Sequence, residues 1–257
     1  MIYALLTPKW LAAYLFTPIL YQIARFLIVK FSPDYLLPAS ANDPNYAAQF
    51  SNAGAGIFHG QIVNDAFCDL ILSRIKQHEN SDVVNQITQA NSMHKNAILT
   101  NEIGLEPFIS SFTNFFFKKI APDVLPGALL KTIDSIHSYV VRYGISLDRD
   151  LGFHVDDSFL TINLCLNDGF VGSDLQFEGQ RCTTHIDTLS GEHERVLIKH
   201  KKGKMILHHG KNRHYVETIR KGERFNLIIW CQNKSERAQW FDATKNQKCP
   251  DWCSYTS

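Results

Sequence analysis

The chain has 257 residues, 45% of them apolar and 20% charged, enough to bury a sizeable core as one large domain or two small ones. Its 26 Lys and Arg against 25 Asp and Glu leave a formal charge of +1, with no dominant basic block, which excludes the electrostatic footprint of a nucleic-acid binder. Six cysteines in a chain of this length do not make a disulfide scaffold.

Residues 10–29, WLAAYLFTPILYQIARFLIV, are long enough to span a bilayer but carry Pro18, Gln22 and Arg25, and no small-residue cleavage site follows. Three readings stay open: a helical arm packed on the domain, a peripheral membrane helix, and a true anchor. The expected location is cytoplasmic, with membrane contact through 10–29 as the alternative. Residues 31–56, crowded with Pro, Asn, Ala and Gly, read as a loop or linker. GIFHGQIV then reads as a strand, and Asn64 or Asp65 caps a helix whose Phe67, Leu70, Ile71 and Ile75 share one face. A second helix over 103–120 carries Leu105, Phe108, Ile109, Phe112, Phe115, Phe116 and Ile120, an aromatic stripe that reads as core.

After Pro126 the period changes from 3.6 to 2. HSYVVRY is a strand, and FLTINLCL alternates Leu160, Ile162, Leu164 and Leu166 against Thr161, Asn163 and Cys165. VLIKHKKGKMILHHG turns at Lys202-Gly203, and HYVETIRKGERFNLIIWCQ reads as a hairpin turning at Lys221-Gly222. Helices followed by many short strands predict an α+β fold, a β-sandwich or barrel flanked by helices. Cys165 and Cys231 read as reduced core residues, whereas Cys249 and Cys253 in CPDWC can hold a metal or oxidise. His185, His193 and His200 read as surface, and Asn233-Lys234-Ser235 is a glycosylation sequon with no clear secretion signal to give it meaning.

The chemistry concentrates in DLGFHVDDSFLTINLCLND. His154 and Asp156, two apart on a strand end, point the same way and can reach one metal. Taken alone, the pair also reads as a solvated strand end. His214, opening a strand after HHGKNR, supplies a third donor, and two imidazoles with one carboxylate form the facial triad of non-haem Fe(II) oxygenases. Three metal positions stay open, of which a 2-oxo acid fills two. Such a co-substrate needs a cation for its far carboxylate, and Arg224, ten residues past His214, has the matching fork. Arg224, Asn226, Ile228 and Trp230 share one strand face; Phe225, Leu227 and Ile229 share the other. Neither His208 nor His209 reads as a ligand, one of the two having to face away from the other, and Asp157 reads as structural or substrate-facing.

VVRY (140–143), LGFHVDDSFLTINLCLN (151–167), FVGSDLQFEGQRC (170–182) and GKMILHHGKNRHYVETIRKGERFNLIIWC (203–231), in this order and spacing, resemble the prolyl/lysyl-hydroxylase type of 2-oxoglutarate- and Fe(II)-dependent dioxygenase. The nearest likeness is to the plant and protist iron- and 2-oxoglutarate-dependent oxygenase domain proteins. AGIFHGQIVNDAFCDLIL (55–72) is a weaker match, and residues 1–50 gain little from it. The resemblance implies a double-stranded β-helix, or jelly-roll, core with helices on one sheet and an N-terminal helical arm. It implies an arm and linker over 1–50, a dioxygenase domain over 51–235 with its core at about 126–232, and a tail over 236–257.

The same resemblance makes His154, Asp156 and His214 the iron ligands and Arg224 the partner of the distal carboxylate of 2-oxoglutarate. Tyr143 matches a tyrosine that hydrogen-bonds that carboxylate, and Thr161 and Trp230 match positions lining the co-substrate pocket. Fe(II), 2-oxoglutarate and dioxygen are the implied cofactor and co-substrates, with L-ascorbate as an accessory. The first substrate guess is a protein Pro or Lys side chain. Where the family often has Gly-Gly-x-Leu, this chain has Gly172-Ser173-Asp174-Leu175, and Ser restricts positive φ. Two other readings stay open: a jelly-roll binding or scaffold module without turnover, and a cupin-like metal enzyme indifferent to 2-oxoglutarate.

Overall fold

The computed structural model describes residues 29–38, 45–80, 93, 96–245, 249 and 252–255. The hydrophobic arm expected over 10–29 lies outside them apart from Val29. Among the described residues, no helix is long and apolar enough to cross a membrane.

Strands β1 (Phe50–Gly54) and β2 (Ile57–Gln61) come first, then helix α1 (Asp65–Glu79), β3 (Ile98–Leu99), α2 (Glu106–Lys119) and the single turn α3 (Ala121–Val124). The strands β4 (Ser135–Gly144), β5 (Leu151–His154), β6 (Leu160–Cys165), β7 (Val171–Gly172) and β8 (Leu175–Gln180) follow. They continue through β9 (Arg195–Ile198), β10 (Lys204–His209), β11 (Asn212–Val216), β12 (Ile219–Lys221) and β13 (Glu223–Gln232), and α4 (Lys234–Lys245) comes after them.

Local chemistry explains the helices. The Asn64 side chain accepts the Phe67 N–H at 3.2 Å and starts α1. Glu106 and Pro107 open α2, where a missing N–H costs nothing. Phe67, Phe108, Phe112 and Phe116 are fully buried, with the Phe67 ring 5.2 Å from Phe108 and 5.0 Å from Phe112. The aromatic stripe is therefore core, as its spacing indicates.

These helices cover one face of a seven-stranded sheet ordered β1-β2-β10-β6-β13-β4-β3, in which every pairing is antiparallel. Val140, Leu160, Ile162, Leu164, Leu207, Leu227 and Ile229 form the helix-facing layer. The opposite face meets a four-stranded antiparallel sheet, β5-β11-β8-β9. There Tyr139, Val141, Tyr143, Ile206 and Ile228 pack on Leu175, Phe177, Val196, Ile198 and Val216. The fold is α+β: two facing antiparallel sheets with helices against one of them.

Two expectations change. The segment read as a hairpin around Lys221-Gly222 is not one: β11 pairs with β5 and β8, while β13 pairs with β4 and β6 in the other sheet. The chain crosses between the sheets, through β12, which pairs with β7. Period-2 alternation is blind to this difference, because both arrangements aim the same side chains at the same interior. Gly222 still makes the turn, at φ +73°, and a Cβ there would lie 2.4 Å from the Gly169 carbonyl oxygen. Nor is the stretch from residue 31 a bare linker. Phe31 packs 5.3 Å from Phe112, Tyr35 packs 5.1 Å from Phe108, and Leu36 bridges to Val63.

Candidate metal centre

His154 ends β5, and His214 lies directly across from it in β11. Cross-strand partners share a face, so the two rings meet, with centroids 4.1 Å apart. Asp156 follows β5 in a loop held by its own N–H, which donates to the Gly210 carbonyl at 2.8 Å. Gly210 permits that approach: a Cβ there would lie 2.0 Å from the Ser158 carbonyl oxygen. The Asp156 carboxylate thus stands 3.7 Å from His154 Nε2 and 3.9 Å from His214 Nε2, and one donor atom from each of the three residues lies within 4.8 Å of the others.

Each imidazole is oriented by its second nitrogen. His154 Nδ1 is 2.8 Å from the Gly152 carbonyl oxygen, and His214 Nδ1 is 2.9 Å from that of Asn212. A carbonyl only accepts, so Nδ1–H donates and the Nε2 lone pair is left for a metal. Thr161 donates its hydroxyl to Asp156 Oδ2 at 2.6 Å and is itself 2.7 Å from Ser158 Oγ. Burial alone would raise the Asp156 carboxyl; His214, His208, His154 and the Thr161 hydroxyl outweigh it and hold the group below the usual carboxylate range. Two imidazoles presenting Nε2 and one carboxylate on one side of a point fit a divalent iron and leave positions for other ligands.

The cavity beside this cluster is lined by Tyr139, Tyr143, Thr161, Asn163, Val216 and Arg224 together with the donors themselves. Arg224 and Tyr143 are direct cross-strand partners, and the guanidinium lies 4.6 Å from the Tyr143 ring centroid. Arg224 is 1% exposed, hydrogen-bonded with Tyr143 and in the field of Asp174, but in no ion pair with a carboxylate among the described residues. Nη1 donates to the Ser173 carbonyl, Nε finds no acceptor, and among the described residues no carboxylate pairs with the group. Burial accordingly lowers the affinity of Arg224 for its proton, with the Tyr143 oxygen opposing that. A buried cation in this state asks for an anion. The Ser173 carbonyl is aimed at Arg224 from a residue at φ +62°, next to Gly172 at φ +79°. The Gly-to-Ser departure therefore keeps the left-handed loop shape and carries the strain in it.

Most of the sequence-selected side chains converge here: His154, Asp156, His214, Arg224, Tyr143 and Thr161 all line one cavity. Trp230 does not. It faces the same layer but stacks edge-on against Tyr139 at 5.5 Å, outside the cavity lining. Asp157 turns outward into an ion pair with Arg237. His208 is fully buried with Nε2 3.7 Å from Asp156 Oδ2, so of the adjacent histidines it is the one facing the site. Its register opposite Thr161 would have revealed this, but strand pairing is not written in a single strand's alternation. His200 and His185 are not the surface residues they resemble. The His200 Nε2 is buried without a partner and its Nδ1 is 3.4 Å from the Asn226 amide, while His185 sits among cysteines.

Fold and site together present a two-histidine, one-carboxylate cluster that could hold a metal ion such as Fe(II), on a sandwich of antiparallel sheets. The chain is 33% identical over 210 residues to the 2-oxoglutarate and iron-dependent oxygenase domain-containing protein ICU11 of Arabidopsis thaliana, covering 80% of this chain and 53% of that protein. It is 31% identical over 228 residues to the domain-containing protein CP2 of the same plant, covering 88% and 57%. Procollagen-lysine,2-oxoglutarate 5-dioxygenase of Drosophila melanogaster is 27% identical over 199 residues, covering 72% of this chain and 26% of that enzyme. No family model matches the chain. Over these residues the chain is similar to 2-oxoglutarate- and iron-dependent oxygenase domain proteins, and it spans about half the length of the plant relatives it matches.

Proposed function

We propose that this protein is an Fe(II)- and 2-oxoglutarate-dependent dioxygenase that hydroxylates an unactivated C–H bond and releases succinate and carbon dioxide. The observation that carries the reading is Arg224: a buried guanidinium without a carboxylate partner among the described residues, lining the cavity of the His154–Asp156–His214 cluster. His154, Asp156 and His214 hold the iron, which when bound supplies the activation of dioxygen. Arg224 binds the distal carboxylate of 2-oxoglutarate through its fork, and Tyr143 shields and orients that guanidinium. Thr161 holds the Asp156 carboxylate in place, and the apolar walls from Val141, Leu175, Val216 and Ile228 exclude water from the reacting groups.

The jelly-roll winding belongs to this proposal. Successive strands from β9 to β11 and on to β13 alternate between the two sheets, which is how a double-stranded β-helix is wound. So does the domain division: a dioxygenase domain over 51–235, an arm before it and a tail after it. For the substrate we take a Pro or Lys side chain of a protein, supported by the name of the procollagen-lysine relative.

The test is succinate release by the full chain with Fe(II) and 2-oxoglutarate, in the presence of Pro- and Lys-containing peptides. Release that needs both iron and 2-oxoglutarate and disappears in Asp156→Ala is expected. A folded, metal-loaded protein that neither binds 2-oxoglutarate nor forms succinate would overturn the proposal in favour of a binding module or a cupin-like enzyme.

A further inference from the structure

A second group of metal-ligand side chains lies apart from the iron cluster. Cys182 and His185, just past the end of β8, meet Cys249 and Cys253 of the C-terminal segment, with one donor atom from each within 4.8 Å of all the others. Three sulfurs surround a single nitrogen: His185 Nδ1 is 3.4 Å from Cys182 Sγ, 3.5 Å from Cys249 Sγ and 3.6 Å from Cys253 Sγ. Hydrogen bonding does not account for that arrangement, because a neutral imidazole nitrogen has one lone pair in one direction. A metal does. With Zn–S at about 2.3 Å and Zn–N at about 2.05 Å, a tetrahedral angle places sulfur and nitrogen about 3.6 Å apart. A disulfide would use two of the thiols and strand the third beside the histidine, and none of the six cysteines is disulfide-bonded.

We propose that Cys182, His185, Cys249 and Cys253 form a structural zinc site that clips the C-terminal segment to the end of β8. Cys-x2-His and Cys-x3-Cys halves, brought together from distant parts of the chain, are ordinary spacing for such a site. The surroundings suit a thiolate-bound metal. Backbone N–H groups of Cys182 and Tyr255 donate toward the Cys253 sulfur, and the Tyr255 ring stacks on His185 at 4.3 Å. Four protein donors complete a tetrahedron and leave no open position, so the site is structural, not catalytic.

Its consequence reaches the iron centre. Ser254, next to Cys253, donates its N–H to the Gln180 carbonyl at 2.9 Å and its hydroxyl to Glu194 at 2.6 Å. Gln180 pairs with Asn212, whose carbonyl orients the His214 ring. The clip thus braces the strand that presents an iron ligand, without touching the iron.

The test is metal analysis of the full chain. After desalting, about one zinc per chain is expected in wild type and in Asp156→Ala, and none in Cys253→Ser or His185→Ala. Because those last variants are open to misfolding, cobalt is loaded into wild type and Asp156→Ala in parallel. An intense thiolate-to-cobalt charge-transfer band is expected in both. Zinc that disappears with Asp156→Ala but survives Cys253→Ser, a Cys249–Cys253 disulfide in the peptide map, or cobalt without a thiolate band would each overturn the site.

Discussion

If Arg224 holds the far carboxylate of 2-oxoglutarate as proposed, truncating it removes that carboxylate's counter-charge and leaves the metal cluster in place. Its guanidinium is 1% exposed, opposite Tyr143, with Nε unsatisfied and a backbone carbonyl as its acceptor on Nη1. A carboxylate entering this place is desolvated and relies on the guanidinium for its hydrogen bonds. Removing one side of a buried charge pair of this kind costs about 2–5 kcal/mol. At about 1.4 kcal/mol per tenfold, Arg224→Ala is expected to raise the 2-oxoglutarate requirement by about thirtyfold to several-thousandfold. Arg224→Lys keeps a point charge and loses the fork, so its defect is smaller. The assay is a 2-oxoglutarate titration read as succinate release, with iron content measured in parallel and expected to stay near wild type. Binding alone gives an independent readout: 2-oxoglutarate at a hundred times its Kd stabilises the wild-type fold by about 2.7 kcal/mol, and the same concentration stabilises Arg224→Ala little. Equal apparent affinities in wild type and Arg224→Ala would refute the reasoning and assign the carboxylate to another residue.

Four further outcomes are expected. Asp156→Ala abolishes succinate release and iron retention while circular dichroism stays that of a folded chain; unchanged turnover would remove this residue from the metal site. Thr161→Val keeps the shape of a fully buried residue but deletes the 2.6 Å hydrogen bond to Asp156, and chelator competition is expected to show iron held about 10- to 100-fold less tightly. Hydrogen bonding from Arg181 depresses the Glu194 carboxyl to about 2, so its contribution is complete above the ordinary carboxylate range and is lost as pH falls toward that value. Glu194→Gln is therefore expected to cost on the order of 3 kcal/mol at neutral pH in urea unfolding, and the gap to wild type closes on acidification. Phe31→Ala, which removes ring contacts with Phe108, Phe112 and Phe115, is expected to cost up to about 3 kcal/mol of stability and leave iron affinity unchanged.

What could be read from sequence followed the range of the physics involved. Alternation along 160–166 and 224–230 sorted each residue to the correct face, because strand parity is a local rule. Parity also aimed Arg224 inward, although the hairpin it was assigned to is a crossing between sheets. Pairings between distant segments were not legible in the same way. His208 faces the site through its register with Thr161, and Cys182 with His185 meets Cys249 with Cys253 only because the chain end returns to β8. Phe31 and Tyr35 were hidden by their neighbours: a stretch dominated by Pro, Asn and Ala reads as linker even when two aromatic rings anchor it.

Among the described residues Asp148 Oδ2, Ser173 Oγ, His200 Nε2, His208 Nε2, Arg224 Nε, Asn226 Oδ1 and Trp230 Nε1 are buried without hydrogen-bond partners; of these residues Arg224 lines the cavity and His208 Nε2 lies 3.7 Å from Asp156. Such atoms cost on the order of 1–3 kcal/mol each in a core, and a ligand that pairs with Arg224 Nε offsets that cost. At one end of the cavity the Asp156 carboxylate and two imidazole lone pairs call for a cation; at the other, the Arg224 guanidinium calls for an anion. A metal alone answers the first demand and a monocarboxylate alone the second. On the proposed reading a 2-oxo diacid would answer both, its keto acid end toward the metal and its far carboxylate toward Arg224.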